Sequence, residues 1–164
     1  MFETKYIKFG KRLGKELESG SISVDTKFFF SKFGLLEPGE YEKKYLVNYE
    51  GVPIVAYVDK IEQNGLVVHE YKTATQIWTD EKCKKHLQPE LYCALISLSN
   101  DKFIDREVKL YVFETIEGKS GSLYFSGNFK AVERICTTEQ QYKILEWVVE
   151  RAVIISDYYK KWLK

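Results

Sequence analysis

Asn64-Gly65, set between two short runs of β-branched and aromatic residues, restricts this 164-residue chain more than any other feature. A two-residue turn of this kind needs positive φ at both central positions. Asn and Gly supply it cheaply, and the turn joins its flanking strands antiparallel. The runs are Ile54 to Asp59 and Leu66 to Lys72. Side chains alternate along a strand, so Leu66, Val68, Glu70 and Lys72 share one face while Val67, His69 and Tyr71 take the other. Asp59 is expected on the face of Val55 and Tyr57, and the turn brings it towards Glu70 without fixing the register.

Two carboxylates and an ammonium at the rim of an apolar face are costly unless they pair or bind something. One reading is an ion pair of Lys72 with Asp59 or Glu70. The other is a divalent cation held by the carboxylates through hard oxygens, with Lys72 positioning or deprotonating a water. Metal-assisted phosphodiester cleavage needs the second arrangement.

The flanks supply a scaffold. A stripe of Phe2, Tyr6, Phe9, Leu13 and Leu17 predicts a helix over Phe2 to Ser19, stopped at Ser19-Gly20. Gly10 and Gly14 lie beside the stripe and imply close approach by another backbone. Ser21 to Pro38 reads as irregular, with Phe28, Phe29, Phe30 and Phe33 packing under a sheet, and Glu37-Pro38-Gly39-Glu40 as a turn. Tyr41 to Tyr49 is expected to pair with Pro53 to Ile61, which completes a three-stranded meander. Thr79-Asp80 caps a helix whose buried stripe is Leu87, Leu91, Ala94, Leu95 and Leu98. Pro89 means that this helix starts afresh there or kinks. Gln88 and Tyr92, four apart, share a face. Strands over Glu107 to Thr115 and Leu123 to Ile135 precede a long helix opened by Thr137-Thr138, with Gln140 or Gln141 at capping-box distance.

The ordered set Asp59, Glu70-Tyr71-Lys72 and Gln88-x-x-x-Tyr92 resembles the PD-(D/E)XK nuclease superfamily, and within it the RecB-like branch. The resemblance runs from about Gly10 to Leu98 and more loosely beyond. It implies an α/β fold with a restriction-endonuclease-like core: a central mixed β-sheet flanked by helices in the order α-β-β-β-α-β. It also implies a divalent-metal-dependent deoxyribonuclease, an exonuclease by analogy, with DNA as substrate. Asp59 and Glu70 would bind Mg²⁺ or Mn²⁺ with the Tyr71 carbonyl, Lys72 would orient the attacking water, and Gln88 and Tyr92 would position the strand.

One position departs from that pattern. The branch's first motif, G-x-x-x-H followed by an acid, aligns its metal-binding histidine with Gly14. Either Glu18 supplies a ligand from one turn away, with Glu16 the weaker candidate, or the site uses fewer protein ligands. The departure also leaves a relative that binds DNA or protein without cutting as the alternative.

Composition narrows the classes further. Apolar content of 45% argues against disorder and for one domain over 1–164, and the net charge of +1 means that any nucleic-acid contact must come from local basic patches. Lys82, Lys84, Lys85 and His86 form the densest such patch near the proposed site, with Lys84 and Lys85 as candidate phosphate contacts. His69 faces away from Glu70 and reads as structural. The three cysteines, Cys83, Cys93 and Cys136, form no C-x-x-C pair and read as packing residues, so no iron–sulfur cluster is expected. No apolar run approaches the roughly 20 residues of a membrane span. The expectation is a stand-alone cytoplasmic nuclease of a phage or mobile element, with a recombination or replication protein as a further partner.

Overall fold

The computed structural model describes residues 4–33 and 38–162. Helices α1 (Lys5–Ser19) and α2 (Lys27–Phe33) lead into strands β1 (Glu40–Tyr49), β2 (Val52–Glu62) and β3 (Val67–Ala74). Helices α3 (Asp80–Lys84) and α4 (Gln88–Ser99) follow, then β4 (Arg106–Glu117), β5 (Leu123–Cys136) and α5 (Thr138–Trp162). The five strands form one sheet in the order β1-β2-β3-β4-β5, with β3 and β4 parallel and the other neighbours antiparallel. This is the mixed sheet expected.

Several helix boundaries have a clear chemical cause. Thr4 caps α1 by accepting from the Ile7 amide, and Gly20, in the left-handed region at φ 65°, returns its N–H to Glu16 and Leu17. Thr79 caps α3 in the same way through the Lys82 amide. Pro89 sits in the first turn of α4, where its missing N–H leaves nothing unpaired, so the helix starts afresh there. At α5 the capping box closes through Gln140, whose Oε1 accepts from the Thr137 amide at 2.8 Å.

Alternation along the strands builds a core on each face of the sheet. On one face, Ile61, Val68 and Val108 pack with Tyr92, Cys93, Ala94, Leu95 and Ile96 of α4 and with Ile144 and Leu145 of α5. On the other, Tyr111, Phe113 and Phe125 meet Phe9, Leu13 and Leu17 of α1 and Phe29 and Phe30 of α2. The three cysteines are buried and free, as packing residues should be.

The phenylalanine-rich segment corrects the sequence reading. Residues 27–33 are helical rather than irregular, because one turn places Phe29, Phe30 and Phe33 together against the sheet, Phe29 lying 5.3 Å from the Tyr111 ring. Phe2 of the expected first helix, Glu37 of the expected turn, and Leu163-Lys164 lie outside the described residues.

A buried arginine ties α4, β4 and α5 together. Arg106 is 3% exposed and donates to Gly65 O at 2.8 Å, Ser97 Oγ at 2.5 Å and Ile104 O at 3.0 Å, while Ser97 donates to Gln141 Oε1 at 2.6 Å. These acceptors are all neutral oxygens. Arg106→Met strands them in the core and is expected to lower stability by about 3 kcal/mol in urea unfolding, since each buried polar group left unpaired costs ~1–3 kcal/mol. A loss within 0.5 kcal/mol, roughly the ordinary surface range, would show that the network is not carrying the helix packing.

Candidate active site

The hairpin parts where its acids stand. The β2–β3 ladder pairs Glu62 with Val67, Ile61 with Val68 and Lys60 with His69, then stops. One position further, Asp59 and Glu70 face each other across the gap. There Asp59 Oδ2 accepts from the Tyr71 amide at 2.7 Å, so a side chain takes the place of a main-chain bond. The linking turn is the Asn-Gly turn expected, with Asn64 at φ 57°, Gly65 at φ 93° and the Leu66 amide donating to the Gln63 carbonyl at 3.3 Å; Gln63 is left-handed too, at φ 51°, and the ladder begins at Glu62 and Val67.

Asp59 is not on the solvent face of Val55 and Tyr57 as regular alternation predicts. Val58 and Ile61, three residues apart, both enter the α4-side core, so β2 changes faces between them. Its neighbour does the same. Tyr45 packs in that core while Tyr41 lines the cavity beside α1, and between them Glu42 has φ 48°. The reversal turns Asp59 from the outer surface into the gap, half-buried. Burial first, and then the charge of Glu70, push its carboxyl up to about 7; the Tyr71 amide and Lys72 only partly offset this.

Glu70 is fully buried, and neither oxygen accepts a hydrogen bond of regular geometry. Lys72 makes an ion pair with its Oε1, and His86 Nε2 lies 3.6 Å from the same atom. Of the two pairings open to Lys72, the structure selects Glu70. The ammonium also donates to Gln88 Oε1 at 2.9 Å, and Gln88 Nε2 bonds the Tyr92 hydroxyl. Burial, then the charges of Glu70 and Asp59, hold the Tyr92 phenol well above its ordinary range. Gln88 and Tyr92 thus meet on one face of α4, as their spacing requires, and Gln88 holds Lys72.

His69 lies on the opposite face, 2% exposed, with Nε2 3.1 Å from Glu62 Oε1 and its ring stacked 5.9 Å from Tyr111. Burial lowers its pKa to about 4, so it is neutral at pH 7 and remote from Glu70. His86 reaches the site because Arg134 donates to the carbonyls of Cys83 and His86 at 2.6 and 2.8 Å, pinning that loop to β5. No spacing rule in the sequence signals this approach.

Helix α1 forms the other wall. Arg12 bonds Asp25 at 2.6 Å, and Asp25 accepts from the Phe125 amide at 2.9 Å, which fixes α1 to the sheet. Below it a cavity of about 430 Å³ is lined by Gly10, Lys11, Gly14, Lys15, Glu18, Tyr41, Glu42, Asp59 and Tyr71. The two helical glycines differ. A Cβ on Gly10 would meet Thr73 Oγ1 at 3.2 Å, whereas one on Gly14 would meet nothing within 4 Å. Gly14→Ala is therefore expected to raise stability by about 0.5–1 kcal/mol through helix propensity alone. Thermal melts of this variant beside Gly10→Ala check it, and a loss at Gly14 would contradict the open space.

Glu18 faces the cavity that holds Asp59, one turn beyond Gly14. Lys84 and Lys85 do not reach it: Lys84 lines a groove with Leu87, Gln140, Lys143 and Trp147 of the α5 side, and Lys85 bonds Glu81 at 2.6 Å on the surface.

The donors fit a hard divalent cation. Two carboxylates facing each other across the gap, one of them wholly buried with the Lys72 ammonium against a single oxygen, make further positive charge favourable there, with the Tyr71 main chain beside it. Among the described residues no three His, Cys, Asp or Glu side chains stand together as ligands. One or two carboxylates are the usual protein share of a Mg²⁺ site whose other ligands are water and substrate phosphate.

No curated protein matches the chain. A family model described as the PD-(D/E)XK nuclease superfamily matches residues 8–160, which takes in most of α1, the parted hairpin, α4 and most of α5. The acids across the gap, the lysine two residues after Glu70 and this match together place the chain in the PD-(D/E)XK nuclease superfamily.

Proposed function

We propose that the chain is a divalent-metal-dependent deoxyribonuclease of the RecB-like kind, working as an exonuclease. The observation that carries this reading is Asp59 facing Glu70 across the parted strands, with Lys72 held between Glu70 and Gln88. Asp59, Glu70 and the Tyr71 carbonyl would hold Mg²⁺ or Mn²⁺, with Glu18 as a further candidate from the cavity wall. The cation supplies charge neutralisation at the scissile phosphate.

The protein's own groups do the rest. Lys72 presents its ammonium where an attacking water must be oriented, paired with Glu70 and at the same time donating to Gln88. Tyr92 fixes the Gln88 amide from the interior, so the Q-x-x-x-Y pair acts first on the lysine and through it on the strand. DNA is the substrate proposed, and Lys84, on the α5 side, and Lys85, on the surface beside Glu81, are candidates for contact with a more distant phosphate rather than the one cut.

The test is cleavage of linear and circular DNA, single- and double-stranded, with Mg²⁺, Mn²⁺ or EDTA. Metal-dependent loss of linear DNA with circles spared is the expected result. Cutting of circles would replace the exonuclease reading with an endonuclease one. No cutting of any substrate would give precedence to a binding protein that has lost hydrolysis, the reading that Gly14 favours. Among the described residues no helix is long and apolar enough to cross a membrane.

A further inference from the structure

We infer that Glu42 is a metal-binding residue of this site, supplying from β1 the carboxylate that α1 does not provide at Gly14. The inference rests on the metal-dependent reading above and names a ligand which that reading lacks. Its basis is the register. Tyr41 pairs with Lys60 and Lys43 with Val58, which sets Glu42 directly opposite Asp59. Asp59 in turn stands opposite Glu70, one position beyond the last β2–β3 pair. The backbone register thus sets three acids in one row across three adjacent strands, although in the metal-free fold their side chains do not stand together as ligands.

Independent features point to a cation as the reason. Glu70, at the inner end of the row, is wholly buried with Lys72 against Oε1 and no hydrogen-bond partner for Oε2, and the row opens through Asp59 and Glu42 into the cavity under α1. At the outer end, Glu42 has a left-handed backbone at φ 48° that glycine would adopt more readily. The chain nonetheless places a carboxylate there, at the point where β1 changes faces and opposite the residue where β2 does the same. Above it, the wall at Gly14 is open, with nothing within 4 Å of where a side chain would begin. Glu42 is exposed and has long, free rotamers, so it closes on a cation by turning about its own bonds rather than by moving a strand. Glu18 shares the cavity but lies towards Tyr41, whose phenol is raised by burial and by the charges of Glu62 and Glu18.

The experiment is Mn²⁺ binding without DNA, followed by the paramagnetic signal of free Mn²⁺, on wild type, Glu42→Gln, Glu42→Gly, Glu18→Gln and Asp59→Asn. Loss of one carboxylate ligand is expected to weaken Mn²⁺ binding about tenfold or more in both Glu42 variants, and by more than in Glu18→Gln. Glu42→Gly relieves the left-handed backbone, so equal loss in the two Glu42 variants assigns the effect to the carboxylate and not to misfolding. If Asp59→Asn loses Mn²⁺ while both Glu42 variants bind as wild type, the inference fails and the two-carboxylate site stands. Tight binding lost only in Glu18→Gln would also overturn it in favour of α1. Wild type that binds no Mn²⁺ would remove the metal-dependent reading itself.

Discussion

Lys72→Met is expected to leave the protein folded and able to take up Mn²⁺, yet to slow phosphodiester cleavage by about 10²–10⁴-fold, the usual contribution of a positioned proton-transfer or water-orienting group. The reasoning begins at Glu70. A buried carboxylate beside Asp59 is tolerable when the Lys72 ammonium is against it, and the same ammonium reaches Gln88 Oε1 at 2.9 Å. Methionine keeps the apolar stem and removes the charge, so it tests the ammonium rather than the packing. Because it also leaves Glu70 without its cation, melts are taken in Mg²⁺, where the metal restores positive charge to the gap. Asp59→Ala is expected to abolish cleavage together with metal binding, which separates it from Lys72→Met. Gln88→Ala acts only through Lys72, so its loss is smaller, about 10–100-fold. Cleavage by Lys72→Met at the wild-type rate would exclude Lys72 from the chemistry, whatever its geometry.

How much of this was legible in the sequence depended on whether the signal was local. The hairpin announced itself because Asn-Gly has few other uses between two β-branched runs, and Pro89 marked the start of α4 for an equally local reason. The partnership of Gln88 and Tyr92 followed from helical spacing. The face change at Asp59 and Glu42 did not, because the left-handed turn falls on Glu42, a residue type that does not favour positive φ, and strict alternation put Asp59 on the wrong surface. The helix at Lys27–Phe33 was hidden because its stability comes from Phe29 against Tyr111 and Phe113, contacts made far along the chain. His86 was hidden for the same reason: its place beside Glu70 is set by Arg134, 48 residues away. Residue identities thus named the chemistry, while long-range packing decided which groups meet.

Raising the pH from about 4 to 8 should destabilise the metal-free wild type relative to Asp59→Asn. The sign follows from where the proton sits. Asp59 has an ordinary value of 3.8 and is held at about 7 in the fold by burial and the charge of Glu70. Between those values the folded chain keeps a proton that the unfolded chain has lost, so stability falls as pH rises. At ~1.4 kcal/mol per unit over about three units, the expected difference is about 4 kcal/mol, present in full below pH 4 and lost by pH 8. Urea unfolding of both proteins in EDTA across this range measures it, and parallel profiles would show that Asp59 is not shifted. Saturating Mg²⁺ should flatten the wild-type profile, because a cation between Asp59 and Glu70 relieves the same repulsion as the proton. Proton and metal then compete for one carboxylate, so metal affinity should climb with pH up to about 7 and level off above it. Cleavage that depends on this site should rise over the same interval, and Asp59→Asn, which has no proton to release, should show no such rise in binding.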